Sequence, residues 1–187
     1  MTRKQLNVAG RLAILSAVLT VPIAGLSFSL DARSGSGPRA LSALLAIANT
    51  ALFVYLFSTL KALLIKRHSF DETTSLISTL LVFNIAATGL DLLGAIFPPL
   101  DSVAGSLLGF AIVPLGLISI AFGIKLLRLR DSLYGMLKPF SYLYMATGLC
   151  FATIILMPLG LIGSVVSDVI LGIIFFRAAE ATATGSK

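Results

Sequence analysis

Two aspartates sit where an apolar chain should hold none. Asp168 lies nine residues before Arg177, about 13 Å along a helix. A charge at that depth in a bilayer costs about 2.5–3.5 kcal/mol on insertion scales. Such a group must be protonated, paired or hydrated. One reading is a proton-coupling or cation-binding carboxylate. The other is an aspartic acid hydrogen-bonded to a neighbouring helix. Gly160, Ser164, Asp168 and Gly172 recur every four residues and make one small, polar face of the kind that packs against another helix. That spacing favours the second reading. Asp91 is shallower, about two turns below Pro98. With Asn84 and Thr88 it falls at i, i+4 and i+7, on one helix face. These three could line a polar cleft, although an interhelical hydrogen bond is favoured for Asp91. No Lys or Arg lies at matching depth, so Asn49 and Asn84 are the expected partners.

Other chemistry finds little support. The chain has no HExxH, no GxSxG and no phosphate loop, so no metalloprotease, nucleophile-elbow or nucleotide signature is present. No histidine pair is available for haem and no thiol pair for redox work. The single Cys150 allows no intrachain disulfide and reads as packing. The single His68 sits beside Arg67 and reads as a loop residue, because a metal site needs several donors. Two isolated aspartates lack the nucleophile and base that catalysis requires. The expectation is a non-enzyme with no cofactor and no metal. Thr2 stands where a myristoylation signal needs glycine, and the tail is no prenyl site.

The elements that hold these residues are membrane helices. The chain has 187 residues, of which 57% are hydrophobic and 12% charged, against about 25% charged in a soluble domain. No connection is long enough to bury a soluble core. From Tyr142 to Phe176 the only charge is Asp168. One straight helix over that stretch would be roughly 52 Å long, too long for a hydrocarbon core of about 30 Å. Met157-Pro158-Leu159-Gly160 lies near its middle, and Pro and Gly favour a turn there. The preferred reading is a hairpin, 140–157 and 159–177; the alternative is one long, kinked helix.

Charge supports the hairpin. With six crossings and both ends inside, twelve of the fourteen basic residues lie on the cytoplasmic side. With five, the split is ten to four. Both obey the positive-inside rule, and six obeys it better. The net charge of +6 therefore follows from membrane insertion rather than nucleic-acid binding, and no interleaved basic and aromatic surface exists for stacking bases.

The expected fold is all-α: a single integral membrane domain over 1–187, a polytopic bundle of about six helices (five possible) arranged as hairpins. The predicted helices are 9–30, 40–66, 72–97, 102–127, 140–157 and 159–177. Pro22 and Gly25 should bend the first. Its basic start and the small-x-small stretch Ser27-Phe28-Ser29 also fit a secretory signal, but the apolar run is long enough to be a first crossing. Asp31 to Arg39 reads as a loop. Ser69-Phe-Asp-Glu72 has capping-box spacing before helix three, and Asp101 or Ser102 can cap helix four. Gly105 and Gly109 form a GxxxG pattern suited to close helix packing. Pro114-Leu-Gly116 should kink helix four, or mark an unwound segment. Lys125 to Lys138 reads as an interfacial segment along the inner leaflet, and the tail after Ala178 as frayed. Ala-Thr-Gly-Leu at 87–90 and 146–149 suggests that hairpins 3–4 and 5–6 are related; Pro-Leu-Gly-Leu-Ile at 114–118 and 158–162 demands a different offset.

Two functional expectations result. The first is a small membrane subunit or scaffold whose small-residue faces (Gly105, Gly109, Gly160, Ser164, Gly172) pack helices. Its partners would be membrane lipids and another membrane protein or a second copy, with no nucleic acid. The second is a small-solute or proton-coupled transporter or channel, with Asp168, Asp91, Asn84, Thr88 and Asn49 as its intramembrane polar residues. Compactness favours a prokaryotic plasma membrane with a cytoplasmic N-terminus.

Overall fold

A computed structural model of the chain describes residues 1–31, 36–129, 133–153 and 155–183. These residues form six α-helices and no strand. The helices are α1 (Arg3–Asp31), α2 (Ser36–His68), α3 (Thr74–Ile96), α4 (Asp101–Leu126), α5 (Leu137–Ala152) and α6 (Met157–Ala183), with a 3-10 turn at Pro98–Leu100 between α3 and α4. Four segments are long and apolar enough to cross a membrane: Ala40–His68, Thr74–Ile96, Ser102–Leu126 and Met157–Thr182. The expected all-helical bundle is present, and the stretch after Ser141 is a hairpin rather than one kinked helix.

Pro158 acts differently from expectation. α5 stops at Ala152, before Pro158, and the Thr153 hydroxyl donates to the Leu149 carbonyl at 3.0 Å. Pro158 is the second residue of α6. Its missing N–H lies in the first turn, where no intrahelical acceptor exists anyway. It starts a helix instead of breaking one. With 16 residues, α5 is only about 24 Å long, shorter than the hydrocarbon core. Pro114 lies inside a continuous α4, so no unwound segment forms there.

Several local expectations are corrected. Residues 32–35 of the expected loop lie outside the described residues, while Ser36 already begins α2. Ser69 does not cap α3. It takes a left-handed φ of 48° that ends α2, and the Phe70 N–H returns to the Leu64 carbonyl at 3.1 Å. The α3 N-cap is Thr73, which makes no side-chain cap bond. Leu100 caps α4, also without one. The 125–138 connection is not laid along lipid: Leu126, Leu129, Leu133 and Leu137 are buried in the core. Arg130 to Ser132 lie outside the described residues. The tail does not fray at Ala178, which is buried, and α6 runs on to Ala183.

The six helices pack as a closed ring. Each packs on its neighbours in chain order, and α6 closes on α1. Among the described residues, most of the basic ones gather at one end of that ring, where α1 begins and α2, α4 and α6 finish. The apolar core fills the same half, with Leu6, Leu60, Leu63, Phe122, Phe140 and Phe175 essentially inaccessible. Arg67 ties this end together. Its guanidinium donates to the Tyr134 hydroxyl (3.0 Å), the Ala178 carbonyl (2.8 Å) and the Thr182 hydroxyl. Arg177 donates to the Tyr134 carbonyl at 2.6 Å. Leu133 and Tyr134 hold left-handed φ values of 46° and 58°, at roughly 1–2 kcal/mol each. Burial of the Leu133 side chain and the arginine bonds to Tyr134 offset that strain. At the opposite end, residues 40–50 of α2 and most of 102–110 of α4 are exposed or half-buried.

Glycine sets the closest approach, but not the pair expected. Among the described residues, nothing beyond α4's own backbone comes within 4 Å of where a Cβ would stand on Gly105 or Gly109; the GxxxG pair packs no described helix. α4 and α5 instead meet at Gly116 and Gly148. A Cβ on Gly116 would lie 2.5 Å from the Gly148 carbonyl oxygen, and one on Gly148 would lie 2.7 Å from that of Gly116. Backbone cannot yield to such a clash. The four-residue face of α6 also divides. Each four-residue step advances about 40° around a helix, so twelve residues turn the row through about 120°. Gly160 meets Phe151 and Cys150 of α5, whereas Gly172 meets Ile14 and Gly10 of α1. Gly148→Leu should therefore lower stability by about 1–3 kcal/mol or more, while Gly105→Leu leaves it within about 0.5 kcal/mol. Reversible unfolding of both variants in mixed micelles checks this; equal effects would contradict the packing described.

Candidate functional site

Where the tight half of the ring ends, a cavity of about 260 Å³ begins. All six helices line it. Its floor is the top of the apolar core, including Leu56, Phe57 and Leu80. Aromatic rings knit this floor across α2, α4 and α5. Phe53 stacks on Phe57 with centroids 4.3 Å apart, Phe57 meets Tyr144 at 5.8 Å, and Tyr144 meets Phe122 edge-on at 5.1 Å. Such contacts stabilise by about 0.5–1.5 kcal/mol beyond burial.

Each helix brings at least one polar group to the cavity. They are Ser16 and Thr20 on α1, Asn49 on α2, Asn84 on α3, Ser119 on α4, Tyr144 and Thr147 on α5, and Ser164, Ser167 and Asp168 on α6. Asp168 is the only formal charge among the lining residues. Its partner is Ser16, whose hydroxyl donates to Oδ2 at 2.7 Å. The bond crosses the α1–α6 seam, 152 residues apart in sequence. Gly172, one turn past Asp168, and Gly10, nearly two turns before Ser16, let the two helices approach closely on the basic side of this bond. Asp168 thus bonds to a neighbouring helix, and it also lines an interior cavity.

The other expected site residues separate. Asn84 and Asn49 share the cavity with Asp168, although neither is its bonded partner; Asn49 is exposed and marks the rim. Thr88 shares a hydroxyl–hydroxyl hydrogen bond with Thr50 that joins α3 to α2. Asp91 is exposed and is not among the lining residues. The face of Asn84, Thr88 and Asp91 therefore serves three surroundings rather than one cleft. Ser16, Thr20, Ser119, Tyr144 and Thr147 were not singled out from sequence. The signal was one polar residue at similar depth in every helix, which becomes legible only once the helices are stacked in register.

Among the described residues, no three His, Cys, Asp or Glu side chains converge on a metal position. Two lining oxygens, Asn84 Oδ1 and Thr147 Oγ1, are buried without a hydrogen-bond partner. An orphaned buried polar group costs about 1–3 kcal/mol, and both belong to residues that line the cavity.

No protein-family model, curated protein or solved structure matches the chain.

The boundary between cavity and core predicts a gradient of access. In a Cys150→Ser background, Asn49→Cys should react readily with a membrane-impermeant methanethiosulfonate, Asn84→Cys more slowly, and Leu60→Cys not at all. Labelling Leu60→Cys as fast as Asn49→Cys would contradict the apolar floor.

Proposed function

We propose that the protein binds a small solute or ion in the ring's interior and moves it across a membrane, with Asp168 as the charged centre of the site. The carrying observation is the placement of Asp168. The most expensive residue to bury in a membrane lies in a cavity to which all six helices contribute, and intramembrane acids at such positions mark solute and proton pathways. The asymmetry of packing supports the same reading. One end is filled by core side chains and tied by Arg67, while the cavity lies beyond it. A site closed on one side is what alternating access requires of one of its states. In this reading the bundle lies in a prokaryotic plasma membrane, crosses it several times, and keeps both termini on the cytoplasmic side, where the basic residues gather. It is a carrier or channel and not an enzyme.

A subunit role is the second reading, and one observation favours it. Gly105 and Gly109 present bare backbone on the outer face of α4 with no other described helix against it, a surface that a second helix can approach closely.

Solid-supported membrane electrophysiology on proteoliposomes tests the first reading, with stepped proton, sodium and small ammonium gradients. Wild-type protein should give transient currents to at least one of these. Asp168→Asn should abolish them while its unfolding profile stays intact. Unchanged currents in the variant would count against Asp168 as the centre of the site.

A further inference from the structure

Most serine and threonine hydroxyls of the cavity lining face it as acceptors. A serine or threonine hydroxyl has one proton to donate and two lone pairs. Around this cavity five of the six such protons are already spent on the protein. Thr20 donates to the Ser16 carbonyl at 2.8 Å, Ser119 to the Leu115 carbonyl at 2.9 Å, Ser164 to the Leu161 carbonyl at 2.7 Å and Ser167 to the Gly163 carbonyl at 2.8 Å. Ser16 spends its proton on Asp168. These hydroxyls have only lone pairs left to offer. Asn84 Oδ1 adds an unpartnered buried acceptor and Thr147 an unpartnered hydroxyl that can accept or donate; the Asn49 and Asn84 amides and the Tyr144 hydroxyl bring the other donors of the lining. Asp168 adds a carboxylate, and the lining holds no Lys, Arg or His.

A carboxylate with no cation beside it therefore favours an occupant that carries positive charge and brings donors. An anion would meet lone pairs and a carboxylate without a compensating cation. Four aromatic rings, Phe53, Phe57, Tyr144 and Phe151, also line the space. Ring faces attract cations and cover apolar groups, but they supply no oxygen to a metal ion. The volume of about 260 Å³ is just below the range of drug-sized pockets, about 300–1,000 Å³, and is larger than a bare ion fills. The geometry points to a small organic amine in its protonated form as the occupant. Its N–H donors engage Asp168 and the lone pairs of the lining hydroxyls, and its hydrocarbon lies on the Phe53–Phe57 floor. This assignment rests on the solute-binding reading above and names its ligand class.

Isothermal titration of the protein in neutral-lipid nanodiscs, corrected with empty nanodiscs, tests the assignment. The probes are cyclohexylammonium, the isosteric anion cyclohexanecarboxylate, tetramethylammonium (charged but without N–H) and sodium. Cyclohexylammonium should bind saturably, tetramethylammonium at least several-fold more weakly, and the carboxylate not at all. Asp168→Asn should weaken cyclohexylammonium at least tenfold. Thr147→Val, which keeps shape but removes the acceptor, should weaken it several-fold with the melting profile preserved. Equal binding of the carboxylate, or unaltered cyclohexylammonium binding in both variants, would overturn the assignment. Asp168-dependent sodium binding or proton current without amine binding would overturn the amine class alone and leave the solute-binding reading standing. Loss of every ligand and every current would overturn both.

Discussion

The constraint on which the bundle depends is the cost of holding a carboxylate inside an apolar helix. Asp168 lies on a segment otherwise apolar enough to cross a membrane, and lipid offers it nothing. Protein must supply both a hydrogen-bond donor and polar surroundings at that depth. Ser16 supplies the first. Hydroxyl and amide groups from the other helices supply the second. The closure of α6 on α1 makes both possible, since these helices are at opposite ends of the chain and meet only if the ring closes.

Two kinds of packing divide the molecule around that level. Toward the basic end, Leu and Phe side chains interdigitate and Arg67 links α2, the α4–α5 connection and the end of α6. Near the cavity level, glycine takes over: Gly116 against Gly148, Gly163 beside Thr147, Gly172 against Gly10. Without a hydrophobic drive between helices in lipid, such close backbone contact provides dispersion that larger residues would forbid. The short α5 fits this arrangement, because α4 and α6 both pack on its last turns. The same pairing leaves outward faces apolar, with Phe110, Ile155 and Val82 largely exposed, as suits surfaces that meet acyl chains.

Much of the architecture was legible in the sequence because its cause is local. Apolar run length and the grouping of basic residues are enough for six helices, and the excessive length of Tyr142–Phe176 is enough for the last hairpin. Turn chemistry was less legible, because one residue can serve two neighbours: Ser69 stops α2 instead of capping α3, and Pro158 starts α6 instead of ending α5. Helix faces were read least well. A four-residue spacing drifts around the helix, so Gly160 and Gly172 meet different partners while Ser164 and Asp168 turn inward. Gly105 and Gly109 have the right spacing but no described helix opposite them, whereas Gly116 and Gly148 do the packing with no motif to announce them. Asp168 was identifiable as costly. Its partner was not, because nothing local to Ser16 says that α1 lies beside α6.

Asp168 faces the interior and bonds across the α1–α6 seam. A double-mutant cycle with Ser16→Ala and Asp168→Asn, read as reversible unfolding in mixed micelles, measures that bond directly. The account predicts a coupling of about 0.5–2 kcal/mol, the range for hydrogen bonds between membrane helices. Strictly additive effects would contradict it and place Asp168 against some other part of the molecule.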